Sequence, residues 1–392
     1  MEKSISNQIL DLSSKIFPKA KEIREHLHAH PELSWKEFET ARFIQNILDE
    51  YKISFIANIA TNGIVATVTG KNPTERCIAL RADMDALPIQ EKSEMAYASR
   101  QPGVMHACGH DVHMACLLGA AIVLNEMKDS ISGTIKFIFQ PSEEKQPSGA
   151  EAMILAGVLE NPTVDCVIGM HVTPELECGK IGFHYGQFMA SADEIYLTVK
   201  GKGGHAAQPH KIIDPLLISA HILIALQQIV SRNANPSTPT VLSFGDMHAD
   251  GATNIIPDEV KIKGTLRTFD ENWRKEMHQK IVAICKGIAK GMGGDCEVDI
   301  PEGLPFVAND RKITENVITK LKTIFEEEQI VEMPIRMGSE DFGFYSQKIP
   351  ATFLRLGTKK VNEPITQLHT SHFDIDSESI LFGIRLFCTA AI

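Results

Sequence analysis

The chain contains no CxxC pair, no dense cluster of lysines and arginines, no internal repeat and no low-complexity segment. Each absence narrows the field. Its eight cysteines stand far apart, at 77, 108, 116, 166, 178, 285, 296 and 388, a pattern that fits reduced thiols better than a disulfide framework. A net charge of -11 without a basic cluster speaks against a nucleic-acid partner. The N-terminal stretch "MEKSISNQILDLSSKIF" lacks the apolar core of a signal peptide and reads as an amphipathic helix. The longest apolar stretches, "MACLLGAAIVL" and "LLISAHILIALQQIV", fall short of a membrane span or carry His and Gln inside them. The expectation is a cytoplasmic protein with neither a membrane nor a nucleic acid as partner.

What is present points to an enzyme of ordinary globular composition. The 392 residues exceed what one hydrophobic core usually serves, so two domains are expected. From about residue 55 short β-rich runs alternate with helical stretches, the pattern of an α/β sheet covered on both faces. "GIVATVTG", "CIALRA", "GTIKFIFQ", "VDCVIGMH" and "ATFLRLG" read as its strands. Between 190 and 302 the order becomes β-α-β-β-α-β, that of a ferredoxin-like module. The expected fold class is α/β: a discontinuous domain (1–189 and 303–392) with a mixed sheet flanked by helices, plus an inserted ferredoxin-like α+β domain (190–302).

Ligands of open α/β sheets bind beyond the carboxyl ends of the strands, and several predicted strands lead there to groups that hold metals or protons. "CIALRA" runs into Asp83 and Asp85, "GTIKFIFQ" into Glu143 and Glu144, and "VDCVIGMH" ends on His171. "ATFLRLG" is followed by a loop with His369 and His372, and "MHACGHDVHMA" sets Cys108, His110 and Asp111 at a helix start. Taken singly, each has an ordinary explanation: aspartates cap helices, paired glutamates face water, and a cysteine is a small buried hydrophobe. Those explanations predict no common location, whereas these residues share one sheet edge. Thiolate, imidazole and carboxylate together suit Zn, Mn, Co or Ni rather than Mg or Ca. The surplus of ligands over one tetrahedral ion fits a two-metal hydrolytic centre, with ions roughly 3.5–4 Å apart. Of Glu143 and Glu144, one can ligate while the other moves a proton.

The motifs "LHAHPELSWKE", "LRADMDALP", "MHACGHDVHMA", "FQPSEE", "GMHV", "GKGGHAAQPH", "TNIIPD", "GTLRTF", "GSEDFGFY" and "LHTSHF" occur in this order from about His26 to Phe373. Together they resemble the M20 metallopeptidase family, in its branch of N-acyl-amino-acid amidohydrolases, hippurate hydrolases, N-acetyldiaminopimelate deacetylases and auxin-amino-acid hydrolases. The resemblance implies two divalent ions held by Cys108, His110, Glu144, His171 and His369. It implies Glu143 as catalytic base and Asp85 as the aspartate orienting a ligand. Asp83 stands where many M20 peptidases carry a ligating histidine, and Cys108 is this branch's substitute. His205 is expected to stabilise the oxyanion, Asn254 to contact substrate, and Arg267 to receive a substrate carboxylate. His106, His113 and His372 match no ligand.

The implied reaction is hydrolysis of an N-acyl amino acid to a carboxylate and a free amino acid, in a homodimer or homotetramer. A dipeptidase or aminopeptidase of the same superfamily is the nearest alternative. A hydrolase with Cys108 as nucleophile would leave the glutamate pair and His171 without work, and an idle binding protein would be expected to have lost ligands.

Overall fold

The computed structural model of the protein describes residues 2–361 and 363–392. The chain divides into two compact units, Met1–Phe188 with Ala308–Ile335 and Phe344–Ile392, and Met189–Val307 with Arg336–Gly343.

The first unit is built on an eight-stranded mixed sheet. In spatial order its strands are Ser54–Ile59, Gly63–Thr69, Thr134–Gln140, Cys77–Asp83, Cys166–Glu177, Ala351–Lys359, Ile181–Phe183 and Ile330–Glu332. The four central strands, from Thr134–Gln140 to Ala351–Lys359, run parallel. Two of them, Cys77–Asp83 and Thr134–Gln140, are buried at every position, which is why they read as continuous rather than alternating apolar runs. Helix His110–Glu126 is buried from His110 through Leu124. It shows no polar face because it is enclosed by the sheet, the N-terminal helix Glu2–Ala29 and the closing helix Ser379–Ala391. The amphipathic helix read at the N-terminus is thus present; Met1 lies outside the described residues.

One strand differs from expectation. It does not end on His171 but continues to Glu177, with His171 paired to Arg355 in its interior. The register against Ala351–Lys359 shifts only after Thr173, where Pro174 has no N–H to offer the ladder.

The second unit holds a four-stranded antiparallel sheet, in spatial order Thr240–His248, Glu259–Thr268, Asp193–Lys200 and Asp295–Asp299. Helices Pro215–Gln228 and Glu271–Gly291 cover it. Both start on aspartate caps: Asp214 accepts from the N–H groups of Leu216 and Leu217, and Asp270 from those of Asn272 and Trp273. Pro215 adds a preset first turn. With its continuation to Asn233, the first of these helices is long and apolar enough by composition to cross a membrane. Its Ile218, Ile222, Leu226 and Ile229 nevertheless pack into the core of this unit.

At the start of this sheet Asp193 is buried and bound by Arg274, His278 and the Gly303 N–H. Arg274 donates from Nε and Nη2 at 2.7 and 2.5 Å, and His278 Nε2 lies 2.8 Å away. Burial would raise the Asp193 pKa, but Arg274 and His278 prevail and lower it to about 2. A carboxylate with a depressed folded pKa contributes stability above its unfolded pKa, near 4, and loses it as pH falls toward the folded value. Melting followed by circular dichroism should therefore show an acid-labile component between about pH 4 and pH 2, smaller in an Arg274→Ala protein that keeps only His278. That variant should also lose about 3–5 kcal/mol at neutral pH, since it strands a buried charge.

Candidate metal centre

The centre forms where the parallel strands of the first unit give way to loops. Asp83 ends its strand. His110 opens the buried helix, and Gly109 before it adopts φ +84°. A Cβ on Gly109 would lie 2.5 Å from Cγ2 of Val172. Only glycine lets the chain pass so close to the neighbour of His171 while presenting Cys108 and His110 on either side. Gly109→Ala combines left-handed strain with overpacking and is expected to cost about 2–5 kcal/mol. Thermal melting against the parent checks this, and an unchanged midpoint would contradict it.

Five expected ligands come together. Cys108, His110 and His171 form one group of potential donor atoms, and Cys108, Glu144 and His369 a second, each with its atoms within 4.8 Å of one another. Cys108 Sγ belongs to both, 3.3 Å from His171 Nε2 and 3.3 Å from His369 Nε2. The imidazoles are oriented for ligation. His110 Nδ1 donates to the Asp85 carbonyl at 2.8 Å and His171 Nδ1 to the Val172 carbonyl at 2.7 Å. Carbonyls only accept, so each Nε2 is the free lone pair, and that of His171 faces Cys108. His369 is held by its N–H on the Ala107 carbonyl, 2.8 Å away, and has φ +59°. Such a conformation is costly for a non-glycine residue and persists where surroundings enforce it.

The donor set fits a cation. His110 Nε2 and Glu144 Oε1 are buried and make no hydrogen bond. His110 Nε2 instead lies 3.8 Å from Asp83 and 4.0 Å from Glu144. Those distances are too long for hydrogen bonds, and the gap to Glu144 suits two groups that share an ion. Burial alone would lower the His110 pKa, but Asp83, Asp85 and Glu144 lift it to about 10. Burial, Glu144, Glu143 and Asp83 push the Cys108 thiol well above its ordinary range. This is the reverse of the electropositive setting that activates a cysteine nucleophile, and it is a setting that a divalent cation would neutralise. Thiolate, imidazole and carboxylate fit Zn or Mn, and also Co or Ni.

Glu143 is partly buried, and its carboxylate lies within 4.8 Å of donor atoms of His110 and Glu144. Asp85 is buried, and its two oxygens accept the N–H groups of Glu143 and Glu144, both at 3.0 Å. It also lies 3.3 Å from His110 Nδ1. One carboxylate thereby touches both a ligand imidazole and the glutamate loop.

Asp83 is no free ligand. Arg81 donates to it at 2.6 Å, and His113 Nδ1 does so at 2.6 Å. His113 Nε2 in turn accepts the Val172 N–H at 3.0 Å, so both its nitrogens are occupied by protein. The close grouping of Asp83, His110 and His113 is accordingly a support beneath the ligands. His106 is buried with neither ring nitrogen bonded, and burial lowers its pKa to about 4. His372 is exposed and meets Ser371.

His205, Asn254 and Arg267 belong to the second unit. The short ladder of Gly204–His205 with Ile255–Ile256 brings the first two together, and the Ala206 N–H donates to the Asn254 carbonyl at 3.0 Å. His205 is exposed, its Nδ1 accepting from the Ala207 N–H. Arg267 donates to Ser339 Oγ at 2.7 Å and to Thr265 Oγ1 at 3.2 Å.

One buried network went unread in the sequence. Arg24 and His28 of the N-terminal helix both bind Asp111 Oδ2 at 2.8 Å, and His28 also meets Glu91 at 3.3 Å. It anchors the start of the helix that carries His110. The motif "LHAHPELSWKE" contains His28 but offers no spacing that reveals its partner.

The profile of peptidase family M20/M25/M40 matches residues 79–392. The chain belongs to this M20 family. This M20 member is 46% identical over 286 residues to an N-acyl-L-amino acid amidohydrolase of Geobacillus stearothermophilus, covering 73% of this chain and 76% of that protein. It is 39% identical over 362 residues to an N-acetyl-L-cysteine deacetylase of Bacillus subtilis, covering 92% and 84%. Among solved structures, it matches a dinuclear metal-binding peptidase of the M20 family from Bacillus subtilis with a TM-score of 0.83 and 33% identity, over 96% of this chain and 98% of that one.

Proposed function

We propose that this M20 member is a metal-dependent amidohydrolase that cleaves N-acyl amino acids to a carboxylate and a free amino acid. The observation that carries the reading is the pair of donor groups sharing Cys108 Sγ, with the Glu143 carboxylate beside them. The names of the amidohydrolase and deacetylase relatives support the substrate class. Cys108, His110, Glu144, His171 and His369 would hold two divalent ions, Zn or Mn, with Co or Ni as substitutes. When bound, these ions acidify water and polarise the acyl carbonyl.

The remaining work falls to side chains. Glu143 takes the proton from the attacking water and passes it to the leaving amine. Asp85 fixes the His110 ring and the backbone that bears both glutamates. We assign to His205 a hydrogen bond to the oxyanion, to Asn254 a polar substrate contact, and to the fork of Arg267 the substrate carboxylate. In this reading 1–189 with 303–392 is the catalytic domain and 190–302 a lid and dimerisation domain. The exposed Leu217 and Ile224 and the edge strand Thr240–His248 support a homodimer or homotetramer. Eight free cysteines, one of them a ligand, suit the reducing cytoplasm.

The test is a panel of N-acetyl- and N-benzoyl-amino acids, assayed on metal-stripped protein with Zn, Mn, Co or Ni restored. Turnover should appear only with metal. No turnover of any member with any metal would refute the reading.

A further inference from the structure

The segment Glu32–Glu37, "ELSWKE", follows the N-terminal helix and runs along the loops that build the centre. Its Glu32 carbonyl accepts the Ala86 N–H at 2.8 Å, and Leu33 pairs with Ala86. Ser34 Oγ donates to Asp85 Oδ2 at 2.7 Å, and Trp35 Nε1 donates to the Pro147 carbonyl at 3.0 Å. Glu37 is fully buried; its Oε1 accepts the Ser142 N–H at 2.8 Å and its Oε2 accepts from Asn62 Nδ2 at 2.7 Å.

Two buried carboxylates therefore hold three consecutive amides: Glu37 that of Ser142, and Asp85 those of Glu143 and Glu144. Ser142 adopts φ +47°, a left-handed turn that must be enforced from outside. Glu37 stands at the N-cap of helix Phe38–Glu50 yet makes no side-chain cap bond there. Its carboxylate is spent on the distant loop instead. Keeping a carboxylate buried against neutral donors is costly, so its placement calls for a gain elsewhere.

We infer that Glu37, oriented by Asn62, is a positioning residue for the hydrolysis: it fixes the turn at Ser142 so that the Glu143 and Glu144 side chains keep their separate places. This rests on the reading of Glu143 as base. Burial and the nearby Asp85 raise the Glu37 pKa to about 7, so the neutral form is already populated near neutrality and glutamine is a fair mimic. Glutamine can still accept from Ser142, and the Asn62 Oδ1, which has no partner, can turn to accept its amide.

The test compares full-length, metal-reconstituted Glu37→Ala and Glu37→Gln with the parent on the N-acyl amino acid the parent turns over fastest. Compared at full metal loading, Glu37→Ala should lower kcat about 10–100-fold, the range expected of misplaced catalytic groups, with KM within about twofold. Glu37→Gln should stay within about threefold of the parent. Hydrogen exchange of the Ser142–Glu144 amides should quicken about 10-fold in Glu37→Ala and not in Glu37→Gln, a readout that needs no turnover. A Glu37→Ala protein with lowered melting but full kcat and unchanged exchange overturns the inference, as does a Glu37→Gln protein as impaired as the alanine. If Glu37→Ala does not fold, Asn62→Leu should lower kcat several-fold at constant KM, and full kcat there overturns the inference too. A parent inactive on every substrate refutes the hydrolysis reading, whereas normal parent turnover with indifferent Glu37 variants refutes only this one.

Discussion

Glu143→Ala is expected to lower kcat by about 10²–10⁴-fold, the usual contribution of a positioned proton-transfer group, with metal content and melting temperature unchanged. The selectivity follows from how the loop is held. The backbone at 143 is fixed by its own N–H on Asp85, so removing the side chain leaves the turn and its neighbour Glu144 in place. Glu143→Gln should fail almost as badly, because an amide of the same shape cannot accept the water's proton. Glu144→Ala should differ in kind, losing metal as well as activity. Metal analysis beside steady-state kinetics separates the two. A Glu143→Ala protein with a full metal complement and undiminished turnover would remove Glu143 from the mechanism.

Cys108→Ala should abolish activity and deplete both ions at once, because Sγ is the one donor common to both groups. Loss of several kcal/mol of carbonyl polarisation corresponds to about 10³-fold or more. His369→Ala leaves the Cys108, His110 and His171 group intact, so it should shed one equivalent and retain the other. Metal stoichiometry after dialysis reads the contrast directly. The same experiment bears on the cysteine-nucleophile alternative. A thiol whose ionisation burial and three carboxylates oppose should react slowly with iodoacetamide in metal-free protein at neutral pH. Chelator-resistant activity abolished by iodoacetamide would favour the nucleophile instead.

The parts of the centre legible in the sequence are those that follow from strand order. Asp83 ends a strand with a plain apolar signature, and Glu143, Glu144 and His369 follow others, so that the parallel sheet brings them to one edge. His171 lies inside its strand and not at the end, yet it still sits beside Cys108. The supporting contacts were not legible. Asp111 with Arg24 and His28, and Glu37 with Ser142, are hydrogen bonds between residues 83 to 105 positions apart, and nothing in hydrophobic periodicity encodes such pairs. His113 illustrates the limit: in the sequence it is one of several adjacent imidazoles, and only the fold brings Asp83 and Val172 to both its nitrogens. The grouping of Arg336–Gly343 with the second unit is hidden for a similar reason. It is a short irregular segment whose partners, such as the N–H of Ala190, lie far back in the chain.

The shared donors also set an order of events during synthesis. Cys108, His110, Glu144 and His171 emerge early, but His369 and the strand Ala351–Lys359 that flanks His171 come only after the whole second unit has been made. Domains usually fold in the order they leave the ribosome, and here the first to emerge must wait for the last. A nascent chain therefore carries an incomplete set of the proposed ligands through most of translation. If the proposed ligands hold metal, full metal capture reports that the C-terminal part of the first unit, from Ala308 on, has arrived and docked, and a prematurely terminated product is left without the complete site.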